Sequence, residues 1–266
     1  MFRTRLISGI VLVIIALAVI ITGGNVLLGT MAVISLIGMY ELYRVFGIEK
    51  SLAGFVGYIA CLVYYGDLLW KFLPELMILP IVFLIIMLGV YVLTYPKYKA
   101  DQIMAGFFGL FYVAIMLSFL YQTRMLERGA YLVWLIFLCS WGCDTCAYCV
   151  GVLFGKHKMA PVLSPKKSIE GAVGGVVGSM LLTVLYCYIF RNQMEMAQNE
   201  VYILAVVSGI GALISMIGDL AASAIKRNYD IKDYGKLIPG HGGILDRFDS
   251  VIITAPIVYF LASNLL

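Results

Sequence analysis

Charge is what this sequence has least of. Asp, Glu, Lys and Arg make up 13% of its 266 residues, about half the share found in a soluble domain. Linkers, charge blocks, low-complexity tracts and internal repeats are lacking too, which leaves no room for a separate soluble domain. A disulfide framework is also missing. Cys61, Cys139, Cys143, Cys146, Cys149 and Cys187 all lie inside apolar runs, where cysteine behaves as a small hydrophobe. The net charge of +4 carries no nucleic-acid signal, because in a membrane chain the placement of positive charge matters more than its sum.

What is abundant is apolar length. Hydrophobic residues account for 62% of the chain, and several runs approach the roughly 20 residues that cross a hydrocarbon core. The pattern predicts an all-α polytopic membrane protein, a single integral membrane domain over 1–266. It predicts about nine helices: Leu6–Ile21, Val26–Tyr43, Leu52–Trp70, Leu76–Tyr95, Ile103–Tyr121, Ala130–Phe154, Gly171–Phe190, Val201–Ile225 and Val251–Leu265. Arg3 and Arg5 before an apolar run containing Ala16-Leu17-Ala18 are signal-like. The run continues past that point, however, and is read as a retained helix. The helices of about 1–129 are expected to support, and those of about 130–266 to carry, the chemistry.

Alternating sides from a cytoplasmic N-terminus puts the C-terminus outside. Of the 19 Lys and Arg residues, Lys71, Arg124, Arg128 and Arg191 then fall outside and the other 15 inside. That satisfies the positive-inside rule. The two longest cytoplasmic loops are Gly155–Glu170 and Lys226–Ser250, so the chemistry is expected at the cytoplasmic face.

Three stretches carry candidate chemistry. Asp144, in "SWGCDTCAYCVG", lies about 18 Å along a continuous helix from Lys156. An acid at that depth is costly and points to function by default; the plain structural alternative is a protonated or hydrogen-bonded carboxyl holding two helices together. Asp219 leads a polar stripe with Ser223, Lys226 and Arg227 at one-face helical spacing. Snorkelling explains the two basic residues but not the aspartate. The third is "KLIPGHGGILDRFD", Lys236–Asp249. Pro239-Gly240-His241-Gly242-Gly243 cannot be regular helix and reads as a tight turn near the membrane. Its glycines would let main-chain N–H groups approach an anion. Asp246 and Asp249 follow three apart, near the positive end of the last helix. Carboxylates of this kind suit a hard cation such as Mg2+, whose shell is completed by water and phosphates.

Weaker signals are set aside. Lys166 and Lys167 in "LSPKKSIEG" suit phosphate, but alone they read as ordinary flanking charge, with Ser164-Pro165 as a helix start or turn. "GVLFGKHK" has the wrong spacing for a phosphate-binding Walker loop, and His157 stands where Ser or Thr is required. Cys139, Cys143, Cys146 and Cys149 read as small helical residues, and Gly171, Gly174, Gly175 and Gly178 as a close-packing face.

Taken together, Ser223–Asp249 resembles the signature of the phosphatidate cytidylyltransferases, or CDP-diacylglycerol synthases. The match consists of Ser-x-x-Lys-Arg, the Lys232-Asp233 pair, Pro-Gly-His-Gly-Gly and Asp-Arg-x-Asp. "DTCAYCVG" and "SPKKSIEGAVGG" look like further family segments, with Ser168 where threonine is usual. The resemblance implies transfer of the cytidylyl group of CTP to phosphatidate with Mg2+, and leaves a second cation open. It implies Asp219 and Asp246 as metal ligands, with Asp144, Ser223 or Asp249 as further ones. Asp219, Asp246, Asp249, Lys226 and Arg227 would be catalytic. Lys166, Lys167, Ser223, Arg247 and the Pro239–Gly243 turn would bind CTP and lipid phosphates. A homodimer in a bacterial inner membrane is implied, with membrane lipids as partners and no nucleic acid. The alternatives are a CDP-archaeol synthase, a polyprenol kinase or, from another class, a cation-coupled transporter.

Overall fold

A computed structural model describes Phe2–Leu265, with side chains from Ser8 onward. The side chains of Arg3 and Arg5, which anchor the sidedness argument, lie outside the described residues. Among the described residues nine helices follow in order. They are α1 (Phe2–Thr22), α2 (Gly24–Val45), α3 (Leu52–Trp70), α4 (Ile78–Leu93), α5 (Ala100–Arg124), α6 (Gly129–Phe154), α7 (Ile169–Met194), α8 (Gln198–Asn228) and α9 (Leu245–Leu265). Each coincides with one expected run. α2, α3 and α5 to α9 are long and apolar enough to cross a membrane, whereas Ser8–Thr22 of α1 and all of α4 are shorter apolar helices. The protein is a polytopic integral membrane protein.

One element departs from expectation. The segment read as a turn or helix start at Ser164-Pro165 is a strand, β2 (Ser164–Ser168), paired antiparallel with β1 (Lys158–Ala160). Proline is tolerated there because a two-stranded ribbon has only edges. The helix start falls to Ser168, whose side chain accepts the N–H of Gly171 at 3.1 Å and so caps α7.

Contacts divide the chain into two compact units: Met1–Tyr121 with Asp233–Arg247, and Gln122–Lys232 with Phe248–Leu266. The return of Asp233–Arg247 to the N-terminal helices has no counterpart in the sequence pattern.

In the first unit, Tyr43 of α2 is fully buried and donates to the carbonyl of Gly106 at 2.7 Å. Gly57 of α3 and Gly109 of α5 make room for its ring, since a Cβ at either would overlap it. α5 carries a π-helical turn at Leu110–Ile115, whose wider ring leaves carbonyls in need of partners. Tyr65 donates to one of them, that of Ala114, at 3.1 Å.

In the second unit, α6 and α7 approach closely along the glycine face that the spacing predicts. A Cβ on Gly174 would lie 2.5 Å from that of Val150, and one on Gly178 would lie 2.5 Å from that of Cys146. The cysteines are all free, and Cys139, Cys143 and Cys187 are buried, so they serve as small packing residues. Ser179 of α7 and Ser208 of α8 bond at 2.7 Å, a polar tie between membrane helices. α6 has its own π turn at Leu138–Gly142, ending two residues before Asp144.

Candidate active site

The second unit holds a cleft of about 570 Å³ lined by α6, the ribbon, the start of α7 and α8. Its polar members are Asp144, Lys158, Lys166, Lys167, Ser168 and Asp219. Apolar residues, among them Tyr148, Val152, Met159 and Met216, form the rest of the wall. The cleft is thus amphipathic, with two carboxylates and three ammonium groups on a greasy lining.

Local structure explains each position. The π turn ends just before Asp144 and shifts the face that the rest of α6 presents. Pairing of Lys158 with Ser168 fixes the ribbon, from which Lys166 and Lys167 project. Glu170, on the first turn of α7, accepts the N–H groups of Lys156 at 3.1 Å and His157 at 3.2 Å, fastening the base of the ribbon. Lys167 then forms an ion pair with Asp219, both side chains being one-quarter exposed. Two residues singled out for different reasons, one as flanking charge and one as an intramembrane acid, are direct partners.

Asp249 is nearly buried, and its backbone packs against α8 next to Asp219. A Cβ on Gly218 would lie 2.9 Å from the Asp249 carbonyl. Ser223 and Lys226 are half-buried on the same stripe, and Arg227 is exposed. Within this unit Asp144, Lys166, Lys167 and Asp219 therefore share one cleft, with Asp249 held against the helix segment that carries Asp219.

The first unit contains the glycine-rich segment. Pro239 and Gly240 occupy the corners of a turn closed by the His241 N–H on the Ile238 carbonyl at 2.9 Å. Gly240 has φ 79°, the left-handed corner that a type II turn requires of glycine. Gly242, at φ 89°, reverses the chain again, and Ile238 donates to its carbonyl at 2.9 Å. Ser8 of α1 donates to the Pro239 carbonyl at 3.0 Å and lies 2.9 Å from Nδ1 of His241.

Asp246 is buried here. Its Oδ2 accepts the N–H groups of Tyr234 at 2.8 Å and Gly243 at 2.9 Å. The Gly243 N–H is therefore committed inside the segment. An anion at this turn has the exposed or half-buried side chains of His241 and Arg247 to meet, rather than that N–H. Glu41 of α2, absent from the sequence-derived candidates, accepts the next two N–H groups, Ile244 at 3.1 Å and Leu245 at 2.9 Å.

Among the described residues no group of three or more His, Cys, Asp or Glu side chains is arranged to hold a metal ion. Mg2+ needs less. One or two carboxylates completed by water and substrate phosphate suffice, and Asp144 and Asp219 facing one cleft fit that requirement.

An all-helical membrane fold, with carboxylates and lysines converging on an amphipathic cleft, suits an enzyme that handles phosphate at a lipid boundary. The chain belongs to the cytidylyltransferase family, whose model matches residues 3–265. It is 33% identical to the phosphatidate cytidylyltransferase of Staphylococcus aureus strain COL, over 97% of this chain and 98% of that one. It is 31% identical to the phosphatidate cytidylyltransferases of Staphylococcus saprophyticus and Staphylococcus haemolyticus, again over 97% and 98% of the chains.

Proposed function

We propose that this chain transfers the cytidylyl group of CTP to phosphatidate, giving CDP-diacylglycerol and pyrophosphate. Full-length similarity to enzymes of that name supports the activity. The observation that carries the site is the cleft in which Asp144, Asp219, Lys166 and Lys167 meet an apolar wall.

In the reaction a phosphate oxygen of the lipid attacks the α-phosphorus of CTP. The bond to the β-phosphate oxygen breaks, and pyrophosphate leaves with that electron pair. The lipid phosphate is largely ionised near pH 7, its second pKa being about 6, so a strong general base is unnecessary. The task is to bring two anions together, which is a matter of position and charge neutralisation. Lys158, Lys166 and Lys167 supply positive charge in the cleft, and the apolar wall accepts the lipid's glycerol and proximal chains. Mg2+, when bound, would take oxygen ligands from Asp144 and Asp219 and offset phosphate charge. Ser223, Lys226 and Arg227 extend the polar stripe beyond Asp219, and Asp249 supports that helix segment.

In the first unit, the Pro239–Gly243 turn, His241 and Arg247 are assigned to nucleotide or pyrophosphate, and Asp246 to a catalytic or metal-ligating carboxylate. The cytoplasmic side of a bacterial inner membrane is the proposed location, because CTP is supplied there and the basic loops fall on that side. A homodimer is part of the same proposal, on the family resemblance.

Metal removal tests the assignment of the carboxylates. Purified protein in detergent, given CTP and phosphatidate with excess EDTA, is expected to form no CDP-diacylglycerol, and Mg2+ is expected to restore the product. Equal product formation in EDTA would overturn the role given to Asp144 and Asp219.

A further inference from the structure

The Asp233–Arg247 segment makes few backbone bonds of regular structure, yet it is held firmly from α2. Glu41 is 4% exposed. Its two carboxylate oxygens accept the Ile244 and Leu245 N–H groups, at 3.1 and 2.9 Å. These are N–H groups at the start of α9, which a helix leaves without internal partners. Ordinarily a residue just before the helix caps them; here the cap comes from another helix.

Two glycines confirm how closely the carboxylate is clasped. A Cβ on Gly235 or on Gly243 would overlap the Glu41 carboxylate. One turn further along α2, Arg44 donates to the Tyr234 carbonyl. Glu41 and Arg44, three apart and so on one helix face, therefore grip the segment near both ends. Asp246 closes it from within, through Tyr234 and Gly243. The Tyr234 and Gly243 N–H groups that bond Asp246 thus each neighbour a group gripped from α2.

We propose that Glu41 is a positioning residue for the transfer reaction: by capping α9 it sets the orientation of Asp246 and of the Pro239–Gly243 turn, without touching substrate. This rests on the proposed use of Asp246 in the reaction. The carboxylate is specifically required. A glutamine at this position has one oxygen to accept, and its amide N–H would face a main-chain N–H.

The test uses full-length protein in detergent, with Glu41→Gln and Asp246→Asn measured beside wild type. For Glu41→Gln, kcat is expected to fall about tenfold or more, the scale seen when a partner orienting a functional carboxylate is lost. KM for phosphatidate should stay near wild type, while KM for CTP rises, because the displaced turn is the one assigned to the nucleotide. Hydrogen exchange read by mass spectrometry should rise in peptides covering Tyr234–Leu245 and stay unchanged in α3 and α5. A merely structural loss would raise exchange across the unit. Should Glu41→Gln fail to accumulate, Glu41→Asp carries the test, since it keeps the charge and withdraws the oxygens by one methylene. Wild-type kcat in Glu41→Gln, or unchanged exchange in the segment, with Asp246→Asn inactive, overturns the positioning role alone. Wild-type kcat in Asp246→Asn overturns the underlying assignment of Asp246.

Discussion

Asp219→Asn is expected to fold normally and to lose cytidylyl transfer by at least about 100-fold, the scale on which one preorganised charge or hydrogen-bonding group matters to a transition state. Normal folding is expected from shape: asparagine keeps an oxygen that can accept from Lys167, whose Nζ is buried although the two side chains are each one-quarter exposed. Lost activity follows from the chemistry. Phosphoryl transfer between two anions depends on charges held in fixed positions, and Asp219 holds Lys167 in the cleft besides offering its own oxygens. The shape-conserving amide keeps the packing and removes the charge. Rate and thermal midpoint, measured on the same preparation, separate the two effects. Wild-type rate with an unchanged midpoint would remove Asp219 from the site.

Asp246 should behave differently, because it is also a structural acceptor. Asp246→Ala leaves the Tyr234 and Gly243 N–H groups buried without their acceptor, at about 1–3 kcal/mol for each unsatisfied group. A lower thermal midpoint is therefore expected together with lost activity. Asp246→Asn retains an oxygen able to accept both bonds, so its midpoint should stay close to wild type while transfer still falls by about 100-fold or more. The contrast between the two variants is the informative result. An alanine variant with an unmoved midpoint would contradict the hydrogen bonding described for this segment.

Much of this architecture was legible in the sequence, for particular reasons. The nine helices follow from apolar length, since a hydrocarbon core requires every backbone group to be bonded internally. Asp144 and Asp219 stood out because an acid in an apolar run is costly. A close-packing face on α7 was visible in the spacing of Gly171, Gly174, Gly175 and Gly178; that α6 covers it was not. Glu41 meets the same criterion as Asp144 but was missed, because its partners lie 203 and 204 residues away and leave no local pattern.

Two other features were hidden for similar reasons. The ribbon at 158–168 is short, basic and interrupted by Pro161 and Pro165, so neither alternation nor β-propensity marks it. The glycines of Pro239–Gly243 suggested N–H groups open to an anion. The Gly243 N–H is instead taken by a carboxylate, Asp246, inside the same motif. Glycine content shows that backbone approach is possible; it does not show which oxygen approaches.

The measurement that bears most directly on the central claim uses purified protein, phosphatidate, Mg2+ and CTP labelled at either the α- or the γ-phosphorus. A cytidylyltransferase carries the α-label into the lipid product and releases the γ-label in pyrophosphate, in detergent and without a sealed vesicle. Transfer of the γ-label to lipid would make the chain a kinase. Failure to label any lipid, with activity only across a closed membrane, would contradict the enzymatic account altogether.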